Sequence, residues 1–211
     1  MAKLVLGNDK TVVTPAIIIK DGKYSLFNRV KDDNNNEVGT VCGYHIDANN
    51  IEYAVVALDA VYRLAAGQLT SGNTAVTGLP LYGNPSVYSA KETATFNCDK
   101  IIAQCTTSGW TSSALTHCRA QIFTVGGVQY AGQIPTIMEL LKILEYREVI
   151  NTIDTTASTN PTLIIPNNQN MWSTSAYNAG TTWCIRNLGG VSNYNRTNSY
   201  FIAPVLEIPN R

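Results

Sequence analysis

The sequence predicts an α+β domain, with β-prone segments toward both ends of the chain and helices in the middle. Short runs rich in Ile, Val and Tyr are separated by polar turns before residue 58 and again after residue 151. Between them, Thr136-Ile137-Met138-Glu139 has the pattern of a capping box, in which the Thr and Glu side chains each satisfy a free backbone N–H. With 211 residues, of which 45% are hydrophobic, the chain can bury a core.

The polarity of the chain comes from uncharged side chains. Only 14% of its residues are charged, and fifteen basic against fifteen acidic residues give a net charge of zero. Instead there are 21 Asn, 23 Thr and 11 Tyr. No nucleic-acid partner is expected, because phosphate binding needs clustered Lys and Arg. No stretch approaches the roughly 20 apolar residues of a membrane span, so membrane insertion is not expected either.

The N-terminal 37 residues predict a β-rich arm followed by a linker. Strands at 16–20 and 23–27 flank Asp21-Gly22, a dipeptide that favours a hairpin turn because it tolerates positive φ. Residues 31–37 are polar and without periodicity, as is typical of a linker. We therefore predict an anchor arm over 1–37 and a domain over 38–211. The arm is too short to bury a core alone, so we expect it to dock on other copies or on a partner.

Within the domain the elements follow in order. Strands are predicted at 38–46 and 51–58, a long loop at 65–94, helices at 97–105, 111–121 and 139–150, and strands at 163–165, 181–186 and 200–206.

The cysteines and the first residues bear on the compartment. Five cysteines without a CxxC spacing predict reduced, buried thiols rather than disulfides or a zinc site. The apolar run near the N-terminus is four residues long, too short for a signal-peptide core. Synthesis in a reducing cytoplasm fits both observations.

No motif of catalysis or cofactor binding is present. The glycine cluster at 126–132 lacks the spacing of a phosphate or dinucleotide loop and predicts a turn between strands. His45 and His117 are the two histidines, and neither lies in a recognisable catalytic motif. No acidic cluster stands out as a metal cage. We therefore predict no enzyme activity, no metal and no cofactor.

The segment 170–200 is dense in Asn, Tyr, Ser and Thr, which fill seventeen of its thirty-one positions. Tyr offers rigid contact area, and Asn and Ser offer adaptable hydrogen bonds, a composition shared with antibody paratopes. The same composition also suits a turn-rich β region in which Asn serves positive-φ positions. Composition alone leaves these two interpretations open.

Residues 132–141 (GQIPTIMELL) resemble a signature of the C-type-lectin-like family of bacterial and phage domains, which are related in fold to the formylglycine-generating enzyme. In that family the signature precedes a W-S-S/T strand, a second Trp or Tyr strand, a G-x-V turn and a closing strand. The matching segments here are 171–175 (MWSTS), 182–185 (TWCI), 189–196 (GGVSNYNR) and 198–206, and more weakly 53–58 and 97–118.

The resemblance implies a twisted antiparallel sheet with two to three helices and a ligand face on the late loops. The calcium motifs of animal lectins and the catalytic cysteine pair of the formylglycine enzyme are absent, since Cys184 stands alone. The predicted contact residues are Trp172, Tyr177, Asn178, Asn193, Tyr194, Asn195, Arg196, Asn198 and Tyr200. Trp172 and Trp183 also suit the core.

Because phage receptor-binding proteins belong to this family, the resemblance implies a virion surface protein of a tailed phage, a head fibre, capsid decoration or tail adhesin. Such a protein is made in the host cytoplasm, released by lysis, and expected to be a homotrimer docked through its arm to capsid or tail proteins. Its ligand would be a host surface receptor or glycan. The alternatives are a bacterial cell-surface adhesin and, third, a lectin-fold enzyme.

Overall fold

The structure, a computed structural model, describes residues 23–83, 92–156, 158, 161, 164–186 and 190–210, and the backbone of two short strands nearer the N-terminus. Its class is α+β, as predicted. The helices are α1 (Ala94–Ser108), α2 (Ser113–Arg119), α3 (Ile137–Glu145) and α4 (Arg147–Ile153). The strands are β1 (Leu4–Val5), β2 (Val12–Val13), β3 (Arg29–Lys31), β4 (Glu37–Ile46), β5 (Glu52–Leu58), β6 (Leu64–Gln68), β7 (Ile122–Val125), β8 (Val128–Ala131), β9 (Met171–Ala176), β10 (Thr181–Ile185), β11 (Val191–Asn195), β12 (Ser199–Ile202) and β13 (Val205–Pro209).

Two main sheets organise these strands. One has the order β13-β5-β4-β3 and is antiparallel throughout, and the other has the order β11-β10-β9-β12-β6. Within the second sheet β12 runs parallel to β9, through Phe201 opposite Met171, and the other pairs are antiparallel. The pairs β1-β2 and β7-β8 form small separate ladders. Strands β9 to β12, which with their loops contain the predicted contact residues, therefore lie in one sheet.

Turn chemistry explains the best-predicted hairpins. The Asp47 carboxylate accepts hydrogen bonds from the backbone N–H groups of Asn49 and Ile51, which closes the predicted turn between β4 and β5. Gly126 and Gly127 have φ of 61° and 77° and form the predicted turn between β7 and β8.

Side-chain caps mark the starts of α1 and α3, and the cap of α3 was predicted. The capping box of Thr136 and Glu139 is present at α3, and Thr93 caps α1, which is longer than predicted and ends at left-handed Gly109. The predicted single helix over 139–150 is wrong, because Tyr146 leaves the helical conformation and separates α3 from α4. The Tyr146 ring packs edge-on against Phe27, 5.1 Å away between ring centroids.

The N-terminal region differs from the prediction. Residues 23–27 form turns instead of a strand, and Phe27 adopts a φ of 65°. The polar segment 31–37 is the turn of a hairpin between β3 and β4, in which the Asp32 carboxylate accepts from the N–H groups of Asn34 and Asn36. The Asp21-Gly22 hairpin, the strand at 16–20 and Gly189 lie outside the described residues. The division at residue 37 stays a prediction, although β3 already pairs within the first main sheet.

Two strands predicted near the end of the sequence also differ from the structure. Ile164 and Ile165 lie outside any strand, and the Asn151 side chain instead bonds both the N–H and the carbonyl of Ile165. The predicted strand over 200–206 divides at Pro204 into β12 and β13, which belong to different sheets. Pro204 has no backbone N–H for a ladder, and its carbonyl instead accepts from Leu58 N.

Two apolar clusters of the core lie on the two faces of the five-stranded sheet, and a third lies between the four-stranded sheet and the β7-β8 hairpin. One of the first two clusters packs the five-stranded sheet against α3 and the four-stranded sheet, and the other packs it against α1 and α2. All five cysteines are buried and free, as predicted.

Candidate functional site

Two of the nine predicted contact residues lie in the core. Trp172 has no exposed surface, and its indole N–H donates to the Gly67 carbonyl at 3.0 Å. Arg196 is equally buried. Direct contact with a ligand was predicted for both, and their burial corrects that placement; the ligand-binding role of the other seven stays a prediction.

Strand periodicity divides the remaining residues between two faces. Asn193 lies opposite Trp183 and Asn195 opposite Thr181, whereas Tyr194 between them points to the other side of β11. Tyr194 packs with Trp172 in the cluster under α1 and α2, and Trp183 belongs to the cluster under α3. The sequence-predicted set therefore cannot form one continuous surface.

Three aromatic rings lie on the face of the sheet that packs against α1 and α2. The Tyr200 ring lies 4.6 Å from that of Trp172 and 5.3 Å from that of Tyr194, between centroids, and the last pair is edge-on. Asn198 Nδ2 donates to the Tyr200 hydroxyl at 3.1 Å. Trp172 forms the buried floor, and both tyrosines are half-buried. We call Tyr194, Asn198 and Tyr200 the tyrosine face.

The side chains of Asn178 and Asn195 stabilise turns. The Asn178 side-chain oxygen accepts from the N–H groups of Gly180 and Thr181, each at 2.9 Å. That of Asn195 accepts from the N–H and hydroxyl of Thr197. These two side chains therefore stabilise turns through hydrogen bonds, although neither residue has the positive φ that the turn interpretation predicted. Tyr177 packs edge-on against Trp183, and the Asn193 side chain has no hydrogen-bond partner among the described residues.

Arg196 fixes the loops beside the tyrosine face. Its guanidinium donates to the Thr182 hydroxyl and to the carbonyl oxygens of Thr74, Asn178 and Ala179, at 2.7–3.1 Å. Within the described residues no carboxylate pairs with it. Burial lowers the pKa of Arg196 to about 10, so the group is still a cation at neutral pH. One buried side chain thus joins the turns near residues 74, 178 and 196.

A groove that sequence reasoning missed lies between α1 and α2. It has a volume of about 410 Å³ and is lined by Ile102, Trp110, Leu115 and Arg119, with several Thr and Ser hydroxyls. Gly72 packs against the indole of Trp110, so closely that a Cβ there would lie 2.0 Å from the ring. An aromatic residue between two helices has no distinctive sequence pattern, and only the tertiary packing places Trp110 at this groove.

His45, Glu139 and Glu207 meet in the interior and could hold a metal ion. His45 Nδ1 lies 3.1 Å from Glu139 Oε1, and His45 Nε2 lies 3.4 Å from Glu207 Oε1. A cavity of about 100 Å³ adjoins His45 and Glu139 and is lined also by Glu92 and Thr136. No sequence pattern predicts this cluster, because its members come from β4, α3 and β13.

The ionisable groups of this cluster influence one another. Burial opposes protonation of His45, yet the Glu139 carboxylate raises the pKa of the imidazole. Burial likewise opposes ionisation of Glu139, but His45 lowers the pKa of that carboxyl. Burial and the Glu139 charge raise the pKa of Glu207 to about 8.

Comparison with known proteins gives one informative likeness. No protein-family model matches the sequence, and no curated protein is significantly similar to it. The chain is similar in structure to a fimbrial protein from Bacteroides ovatus, with a TM-score of 0.59 at 12% sequence identity. The match covers 88% of this chain and 48% of the fimbrial chain, so this chain spans about half of that protein's length.

At this identity the likeness concerns the fold alone. The fold is α+β, mostly sheet, and resembles that of a protein named for fimbriae. In the part of the chain that the structure describes, no helix combines the length and apolar character that crossing a bilayer requires.

Proposed function

We propose that this protein is a surface-displayed binding module of the adhesin kind, with the tyrosine face as its contact site. The observation that carries the proposal is the Tyr194–Tyr200 pair over buried Trp172, beside loops that buried Arg196 holds in place. The similarity of the fold to a fimbrial protein supports a bacterial surface role above the virion role that the sequence suggested.

The chemistry of the face favours an uncharged, hydroxyl-rich ligand such as a glycan. Half-buried Tyr rings combine apolar surface with a hydroxyl, and Asn198 adds an amide within hydrogen-bond reach of Tyr200. Between residues 170 and 200 the only charged side chains are Arg186 and buried Arg196. A neutral surface of this kind discriminates by shape and hydrogen bonds instead of by charge.

The rigidity of the loops beside the tyrosine face supports the proposed role in binding. A binding face held by buried hydrogen bonds loses less conformational entropy when a ligand binds, which improves affinity at equal contact area. Arg196 supplies that constraint for the neighbouring turns near residues 74 and 178. The C-type-lectin-like resemblance at 132–141 and 171–196 remains a proposal about ancestry, and it agrees with a ligand face on late loops.

The experiment that tests the proposal combines location with ligand screening. Antibodies raised against the full chain should label intact, unpermeabilised bacteria of the source strain. The purified chain should bind a subset of neutral glycans on an array. Absence from the cell surface together with no glycan binding would contradict the proposal.

The tailed-phage interpretation stays a prediction with its own test. If the protein is a virion component, mass spectrometry of purified particles should detect it, and crosslinking should show trimers. If the protein is detected in virions and is absent from the surface of uninfected cells, the assignment to the bacterial surface is wrong. The tyrosine face would then still be the proposed contact site.

A further inference from the structure

The interior beside β4 holds more carboxyl groups than basic groups. Glu139 and Glu207 flank the His45 imidazole, and Glu92 lines the same cavity, all three carboxylates being at most 9% exposed. Lys142 also lines the cavity, but its ammonium pairs with Glu145 at 2.9 Å. Among the described residues one imidazole thus faces three buried carboxylates. Ionising all of these carboxyl groups without matching cations would be costly, so a bound cation would stabilise their anionic forms.

Two helix starts hold the carboxylates in place. Glu207 accepts from the backbone N–H groups of Ala94 and Thr95 at the start of α1, at 2.7 and 2.8 Å, and from the Thr95 hydroxyl. Glu139 Oε2 accepts from Thr136 N at the start of α3, at 2.7 Å. Helix N-termini favour the anionic form of a carboxylate. The acceptor set is therefore fixed by backbone before any ligand arrives.

Three other polar atoms of His45 and Glu139 have no hydrogen-bond partner. Glu139 Oε1 and both ring nitrogens of His45 are buried and unpartnered. Glu139 is only 4% exposed and this oxygen faces His45. The nitrogen–oxygen separations of 3.1 and 3.4 Å are short, yet neither pair is aligned for an N–H···O bond.

The two short separations start from different ring nitrogens of His45, Nδ1 and Nε2, and a single ion can bind only one of these nitrogens. Ligand atoms bonded at about 2.1 Å to a tetrahedral ion lie about 3.4 Å apart, and each lies off the axis of its neighbour's lone pair. One atom from each of the three residues lies within 4.8 Å of the other two. Closing the set onto one ion therefore needs side-chain shifts of roughly an ångström.

We propose that His45, Glu139 and Glu207 form a binding site for one divalent transition-metal ion of the zinc type. One imidazole nitrogen and two carboxylate oxygens are a donor set that such ions accept, and the two carboxylates neutralise a doubly charged ion. Calcium is disfavoured because it takes six to eight oxygen ligands. The adjoining cavity of about 100 Å³ leaves room for a water as the fourth ligand. The ion would tie β4, α3 and β13 together, independently of the tyrosine face.

Histidine NMR on the wild-type full chain gives a direct test, because the sequence has two histidines. The protein is labelled with 15N-histidine, treated with a chelator, exchanged into chelator-free buffer and titrated with ZnCl2. We expect one equivalent to shift the ring signals of one histidine and leave the other unchanged. The unchanged residue should be His117, whose Nε2 lies 2.7 Å from the Tyr62 carbonyl oxygen.

Substitutions of the proposed ligands test which residues bind the zinc ion. His45→Gln and Glu139→Gln should each weaken zinc binding in calorimetry at least 100-fold, whereas the matched control His117→Gln should bind like the wild type. Circular dichroism checks that each variant is folded, and the wild-type NMR titration does not depend on that check. The proposal is overturned if zinc shifts neither ring or both equally. It is also overturned if folded His45→Gln binds zinc with wild-type affinity. Two downfield ring N–H signals from His45 that persist at excess zinc would show that protons alone join the cluster.

Discussion

The guanidinium of Arg196 donates to the carbonyl oxygen of Ala179 at 2.8 Å from a position with no exposed surface. The same group reaches Thr74 and Asn178, so a residue that the sequence predicted for ligand contact instead positions three turns. Because a buried cation is costly unless its donors are satisfied, this arrangement depends on every one of these bonds.

Replacing Arg196 should therefore destabilise the fold strongly. Arg196→Met keeps much of the side-chain volume but leaves several buried carbonyl oxygens unsatisfied, and we expect a loss of about 3–5 kcal/mol in the free energy of unfolding. Urea denaturation followed by circular dichroism measures it. Arg186→Met, at an exposed position in the same region, is the control and should change stability by no more than about 0.5 kcal/mol. Equal effects of the two substitutions would contradict the structural role of Arg196.

The packing of Gly72 against Trp110 predicts that alanine substitutions at two glycines differ in their effect on stability. A methyl group at residue 72 would overlap the rigid indole, so Gly72→Ala should cost about 1–3 kcal/mol of stability. Gly83 has no atom within 4 Å of the position of a Cβ, and Gly83→Ala should be neutral or slightly stabilising. Thermal unfolding of the two variants side by side measures the difference. A Gly72→Ala protein as stable as the wild type would show that the loop moves freely away from Trp110.

The thiols should be unreactive in the native protein. Burial raises the pKa of Cys42, Cys98 and Cys184 to about 12, which leaves almost no thiolate at neutral pH. Titration with Ellman's reagent should release five equivalents in guanidinium chloride and show these three thiols protected without it. Rapid native modification of Cys184 would contradict its burial and reopen the question of redox chemistry, for which the sequence predicts none.

Local signals predicted much of this fold. The capping box at Thr136, the Asp47 turn between two strands and the glycine turn at 126–127 each depend on a few adjacent residues. Such features can be read from sequence because the chemistry that forms them lies within one turn of chain. The break at Tyr146 and the positive φ of Phe27 escaped prediction, since the ring contact between them is made only in the folded chain.

The candidate sites were harder to predict than the fold. Composition identified 170–200 as rich in Tyr and Asn, but it could not show that β11 divides Asn193 from Tyr194 or that Trp172 and Arg196 face inward. Which face of a strand is buried depends on partners elsewhere in the chain. His45, Glu139 and Glu207 likewise come together only through the packing of β4, α3 and β13.

Substitutions of the two tyrosines test whether the tyrosine face binds the ligand. Binding of Tyr200→Ala and Tyr194→Ala to the glycan selected by the wild-type protein should weaken at least tenfold in calorimetry. Tyr130→Ala, which removes a half-buried tyrosine from the separate β7-β8 hairpin, should bind like the wild type. Folded tyrosine-face variants that retain wild-type affinity would show that the ligand does not bind at the tyrosine face.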